Sequence, residues 1–420
     1  KDGLLTNSKL KPPATECGSD RIDYGSVYNS KGEILRDAFR GFQRTTSVAL
    51  NDGFKKFTRE NGWWLDDYAL YRAIKTEQKQ KPWYEWMDEL KLRDETAIRR
   101  LREQLAEQVD AEKFFQFIFF RQWFDLRKYA NENGIKIIGD MPLFVALDSS
   151  DVWCNHDHFK LNADGSAKVV AGVPPDFFSK TGQLWGNPIY DWEAMRSDDF
   201  SWWTARMHFT LKMFDVVRID HFRGLSSTWE VPGNDKTAES GQWVEVPGSE
   251  LFTALECSMG DLPVIAEDLG FVTPEVNKLR DEFGIAGMKI LQFAFGGDAQ
   301  NHDLPHNYIS NCVAYTGTHD NDTTVGWWRS IKVSEREFCK KYLNSDGKEI
   351  NWDLIRTAWA SVADTAITPM QDILGIGSEG RMNLPATTVN NWQWRMKKDA
   401  IRPEHVKRLR SLSEIYGRAC

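Results

Sequence analysis

Phe214-Asp215-Val216-Val217-Arg218-Ile219-Asp220-His221-Phe222-Arg223-Gly224 is the stretch whose reading decides the fold. Val216, Val217 and Ile219 make an almost unbroken β-branched run, the composition of a strand buried on both faces. The run stops at Asp220. Alone, such an aspartate reads as a helix cap or a turn residue. Three other segments repeat the design: Ile135 to Pro142 carries Asp140, Leu262 to Gly270 ends on Glu267 and Asp268, and Cys312 to Asp322 ends on His319 and Asp320. Four apolar strands that each deliver a carboxylate at the carboxyl end fit a barrel of alternating strands and helices, which would gather them at one mouth. Gly287 to Phe293 and Ala366 to Asp372 read as two further strands. The expected class is therefore α/β, a (β/α)8 TIM-type barrel, with six of the eight strands recognisable.

Composition bounds the function. With 41% hydrophobic and 27% charged residues, the 420-residue chain has the make-up of a globular protein. Its net charge of −8 argues against a polyanionic partner, so no nucleic acid is expected. The longest apolar run, near Phe114 to Phe120, is too short to span a bilayer, and no secretion signal is visible at Lys1, so no membrane partner is expected. Cys17, Cys154, Cys257, Cys312, Cys339 and Cys420 form no C-x-x-C pair. Cys257 and Cys312 have the apolar context of buried thiols, and the set suits a reducing compartment, a bacterial cytoplasm or a plastid stroma. The 18 tryptophans are mainly core material, but sugar rings also present C–H faces that stack on indoles, and Trp185 sits in a Gly- and Pro-rich loop suited to that.

Residues 1–33 read as irregular, and a helical pattern runs from Ile34 to about Tyr129, with Ile98, Leu101, Leu105 and Val109 on one face. Residues 1–134 thus form an irregular start and a helical insertion block, and 135–420 hold the barrel strands and helices. The connection 141–203 is long enough to be a lid, written in rigid turns with polar and aromatic residues. A closing helix, Pro403 to Tyr416, places Val406, Leu409, Leu412 and Ile415 on one side. Asn155-His156-Asp157-His158 lacks further ligands at metal-site spacing, so no metal is expected there. Gly375-Ile376-Gly377-Ser378-Glu379-Gly380 matches the dinucleotide fingerprint formally but opens no helix, and is rejected.

Three carboxylates sharing a pocket cannot all ionise comfortably, so at least one should titrate high. Glycosidic chemistry uses that split, with an ionised nucleophile and a protonated acid. Arg218, two residues before Asp220 on one strand face, suits a charged Asp220, while Glu267 has no cation in its immediate sequence. His319 and Asp320 suit sugar hydroxyls. The same trio around Mg²⁺ would stabilise an enediolate, although no strand-end lysine other than Lys289 offers the base.

Val217 to Gly224, Ile265 to Gly270 and Gly317 to Thr323 resemble the amylomaltase, or disproportionating-enzyme, family of 4-α-glucanotransferases, as do Val173-Pro174-Pro175-Asp176, Gln183 to Pro188 and Ser378 to Asn383. The resemblance implies a retaining double displacement on α-1,4-glucans and maltooligosaccharides. In it, Asp220 is the nucleophile, Glu267 the acid/base and Asp320 the third carboxylate, with Arg218 and His319 beside it. Asp140, Asp176, Trp185 and Asn187 fall on substrate-contacting positions, and no metal or organic cofactor is implied. Hydrolysis on the same scaffold, and glucan binding without turnover, are the competing readings. Gly380 and Ala386 stand where the likeness leads one to expect Ala and Gly. The family's first two barrel strands and a pocket-lining tyrosine precede the point where this sequence starts. The chain is accordingly expected to be a fragment of a longer product, or poorly stable and weakly active through exposed strand edges. The motifs carry nothing on oligomeric state.

Overall fold

The computed structural model describes residues 2–6, 20–175 and 179–419. Ten strands lie among them: β1 (Ile138–Met141), β2 (Val169–Val173), β3 (Gln183–Pro188), β4 (Val216–Ile219), β5 (Ser227–Pro232), β6 (Gln242–Glu245), β7 (Val264–Ala266), β8 (Gly287–Ile290), β9 (Cys312–Tyr315) and β10 (Thr365–Ile367). The six strands read from apolar runs all form, in two parallel sheets of order β1-β4-β7 and β10-β9-β8. Helices fall between consecutive parallel strands, Ser201–Met213 before β4 and Gly248–Met259 before β7, so the architecture is mixed α/β. The remaining four strands build an antiparallel sheet, β3-β2-β5-β6, that the sequence reading did not anticipate. The stretch 141–203 is therefore structured, with β2, β3 and the short helices Ser150–Cys154 and Trp192–Ser197.

Several expectations need correction. The first helix begins at Tyr24, not Ile34 (Tyr24–Gln43), because Asp23 caps it by accepting hydrogen bonds from the backbone N–H and hydroxyl of Ser26. β1 begins at Ile138, so Asp140 sits inside the strand and not beyond its end. The pattern around Ile98 to Val109 is two helices, Glu95–Gln104 and Ala106–Glu132, that meet at Leu105. Cys257 is exposed, on the solvent side of the helix that buries Leu251, Phe252 and Leu255. In the closing helix Pro403–Ile415, Leu412 is buried but Val406 and Ile415 face solvent.

Two compact units account for the chain: one built mainly of Gly32–Phe283, the other mainly of Gly284–Cys420 with residues 20–31. In the first, the long helices Val48–Glu77 and Ala106–Glu132 pack together around an aromatic cluster in which Phe42 stacks on Phe114 at 4.8 Å. Each fully buried ring of this kind contributes about 1.5–3 kcal/mol by removal from water. Asp148 ties the 141–203 stretch to the helix Val48–Glu77 and the turn after it, by accepting from Tyr71 Oη, Lys75 Nζ and the Trp83 N–H. The second unit has its own core of Leu291, Phe295, Cys339, Leu354 and Ala358. No helix among the described residues is long and apolar enough to cross a membrane.

Candidate active site

Register places the charged residues of the first unit. In the parallel sheet Asp140 on β1 lies opposite Arg218 on β4, and Ile219 lies opposite Ala266 on β7. The ladder continues past the strands: Asp220 N–H donates to Met141 O at 3.0 Å, and Glu267 N–H to Ile219 O at 3.0 Å. Asp220 and Glu267 are thus the next residues on neighbouring strands, whose backbones run about 4.8 Å apart. Gly139 allows this sheet to close on its helix, since a Cβ there would meet the Phe214 ring at 2.2 Å.

Arg218 is the hub. Its guanidinium is buried; Nη1 donates to Asp140 Oδ1 at 2.5 Å, and Nη2 lies 3.1 Å from Asp220 Oδ1. Burial opposes the charge, but Asp140, Asp220 and Glu267 together hold the arginine's pKa above its ordinary value. Glu267 responds the other way. Burial first, and then the Asp220 charge, push it up to about 8, against the lowering effects of Arg218 and of a 2.8 Å hydrogen bond from the His221 N–H to Oε2.

His221 takes a left-handed conformation (φ 52°), uncommon for a non-glycine residue, and this turns its N–H towards Glu267. Its imidazole meets the Trp185 ring edge-on at 4.7 Å and is pushed down to about 4 by burial and then by Arg223, so it is neutral at pH 7. Trp185, on β3, keeps 37% of its surface open and therefore retains a face for stacking. Asn187 spends its amide on the Val145 carbonyl at 2.9 Å, holding the segment after β1. Asp176 lies outside the described residues.

In the second unit Asp320 follows β9. Asn383 Nδ2 donates to its Oδ1 at 2.6 Å, Arg381 donates to its backbone carbonyl at 2.7 Å, and His319 Nε2 stands 3.5 Å from Oδ2. His319 itself lies 5.1 Å from the Trp392 ring. Beneath the turn, wholly buried Asp372 accepts from the hydroxyls of Thr316 and Thr324 at 2.6 and 2.7 Å and from the Thr324 N–H at 2.7 Å. Burial nonetheless raises its pKa. Ala386 holds φ 61°, a conformation that favours glycine.

The first unit thus brings together Asp140, Arg218, Asp220 and Glu267, with Trp185 reaching them through His221. Sequence reasoning missed His221, Asn383, Arg381 and Asp372 as working parts; the Ser378 to Asn383 motif marked Arg381 and Asn383, and no sequence signal marked the role of His221 or Asp372. At the Asn155–His158 motif, His156 stacks on Trp83 and His158 pairs with Asp198. No cluster of three or more His, Cys, Asp or Glu side chains able to hold a metal occurs among the described residues.

A family model described as 4-alpha-glucanotransferase matches residues 1–400. The chain is 46% identical to a 4-alpha-glucanotransferase of Thermus thermophilus, over 98% of its own length and 83% of that protein. It is 43% identical to the chloroplastic/amyloplastic 4-alpha-glucanotransferase of Arabidopsis thaliana, over 100% of its length and 73% of that protein. The amylomaltase of Streptococcus agalactiae, solved in complex with acarbose, superposes with a TM-score of 0.96 at 37% identity, covering 100% of this chain and 84% of the other.

Proposed function

The chain belongs to the 4-alpha-glucanotransferase family, and from that premise we propose that it transfers α-1,4-glucan segments to the 4-hydroxyl of an acceptor glucan or glucose by a retaining double displacement. The observation that carries the proposal is the split between two neighbouring carboxyls: Asp220 paired with Arg218, and Glu267 pushed up to about 8.

In the first step an Asp220 carboxylate oxygen attacks the anomeric carbon. The bond to the leaving 4-oxygen breaks, and Glu267 gives that oxygen its proton. Glycosylation then removes the negative charge of Asp220. One of the causes raising Glu267 disappears with it, so the carboxylate left after proton donation stays ionised, the form that the second step needs. There it takes the proton of the acceptor's 4-hydroxyl, whose oxygen attacks the anomeric carbon and releases Asp220. Asp320, fixed by Asn383, is assigned to the hydroxyls of the reacting ring, with His319 beside it. Asp140 orients Arg218, and Trp185 offers a stacking face to the glucan; for Asp176 the substrate-contacting role rests on its sequence motif alone.

The parent architecture in this reading is the (β/α)8 TIM-type barrel. Residues 1–134 form the irregular start and helical insertion, 135–420 the barrel elements, and 141–203 the lid. The free thiols of Cys154, Cys312 and Cys339 suit a bacterial cytoplasm or a plastid stroma. Incubation with maltotriose tests the proposal. Glucose plus longer maltodextrins is the expected result; glucose and maltose alone would make the protein a hydrolase, and unchanged substrate a glucan-binding relative.

A further inference from the structure

A cavity in the first unit, of about 530 Å³, falls in the size range of small-molecule sites. It opens between the turn after β4, the strand β6 and the segment after β7. Three of its residues form a stack. The Arg223 guanidinium lies 3.7 Å from the Trp243 ring centroid and 5.7 Å from that of Phe271. Arg223 is more than nine-tenths buried, yet among the described residues its Nε has no hydrogen-bond partner. Its Nη2 reaches Ser227 Oγ only at 3.3 Å. Nε is sealed from solvent, so it is through the Nη groups that the guanidinium can meet a molecule in the cavity. Phe271 exposes 75% of its surface and Trp243 39%, so two aromatic rings border the cavity with surface open to a ligand.

The lining selects the ligand. Lys278 adds a second cation, but Glu245, Glu275 and Glu282 outnumber the two, so an anion would meet net repulsion. An aromatic face, a donor-rich guanidinium and surrounding carboxylate acceptors together suit a neutral polyhydroxylated molecule with an apolar face. We propose that this cavity is a further glucan-binding subsite, in which a hexose ring of a longer α-glucan packs on Phe271 and accepts hydrogen bonds from Arg223. The proposal rests on the glucanotransferase reading for its choice of sugar. Chain connectivity keeps the site near the reacting carboxyls. Arg223 is three residues beyond Asp220 and Phe271 four beyond Glu267, which limits the Cα separations to about 11 and 15 Å. Short substrates would fill the reacting centre alone, and longer ones would also reach this platform.

The test compares the parent with Phe271→Ala and Phe271→Trp on maltotriose and on maltoheptaose, and measures maltoheptaose binding calorimetrically in Asp220→Asn protein with and without Phe271→Ala. Phe271→Ala should raise KM for maltoheptaose about threefold to tenfold with kcat kept, and weaken its binding by the same factor. Maltotriose kinetics should not move, and Phe271→Trp should restore the parent values. Unchanged maltoheptaose binding, or an equal loss on both substrates, would overturn the subsite. A parent that transfers nothing but still loses maltoheptaose affinity on Phe271→Ala would overturn the transferase reading and leave the subsite standing.

Discussion

Glu267 in the first unit and Asp372 in the second are both carboxyls enclosed by protein, and burial raises the pKa of each. They differ in how much hydrogen-bonding capacity is spent. Asp372 accepts from two threonine hydroxyls and a backbone N–H, while its own carbonyl takes the Asn351 amide. Among the described residues the Glu267 carboxyl accepts one hydrogen bond, of 2.8 Å from the His221 N–H, and faces the Asp220 charge. A carboxyl whose lone pairs are used up is an anchor. One that keeps them, beside a like charge, is held ready for a proton transfer. Burial alone does not separate the two; the inventory of donors does.

The largest effect is expected from the partner that sets Glu267 apart. Asp220→Asn should lower transfer from maltotriose at least about 10⁴-fold with its melting temperature little changed. Product chromatography within tenfold of the parent would remove Asp220 from the nucleophile's place. Glu267→Gln should cost about 10²–10⁴-fold in kcat/KM, and in the parent kcat/KM should decline as pH rises through about 8.

The same substitution has a stability signature of known sign. Between the ordinary carboxyl range and about 8, folded Glu267 keeps a proton that the unfolded chain has already released, so stability falls as pH rises through that window. Glu267→Gln removes this dependence. Its melting temperature should match the parent near pH 4 and exceed it increasingly towards pH 8; a constant offset would sink the assignment.

Asp372→Ala should show the anchor's behaviour, with stability down by about 3 kcal/mol in urea titration, because two buried hydroxyls and an N–H lose their acceptor. A loss of activity without loss of stability would erase the contrast with Glu267. The smallest effect belongs to Asn383→Ala, which releases Asp320 near the surface. Transfer should fall about tenfold with less than about 1 kcal/mol of stability lost.

What the sequence made legible follows from burial. The parallel strands β4, β7 and β9 read as apolar runs that end on acids, because a strand covered on both faces must be apolar and its polar residues collect at its end. The antiparallel sheet was not legible. β3 is Gln183-Leu184-Trp185-Gly186-Asn187-Pro188, and β6 is Gln242-Trp243-Val244-Glu245; both are half open to solvent and carry turn-like or charged residues. Their pairing comes from neighbours, with a register shift between Val170 and Gly172, and no local pattern encodes it. At the candidate site the acids and Arg218 were visible as residue types at strand ends. The Asp140–Arg218 pairing depended on register, and Asn187's attachment to Val145 depended on where a loop returns.

The hydrogen bond that reaches Glu267 comes from a peptide group, so no exchange of side chains short of proline, which lacks the N–H, can delete it. A saturation library at position 221 would report on backbone strain and ring packing and, its proline member apart, remain blind to this donor. Chemical synthesis that replaces the amide there with an ester would expose it, by leaving the acid one proton-holding neighbour poorer while every side chain stays in place.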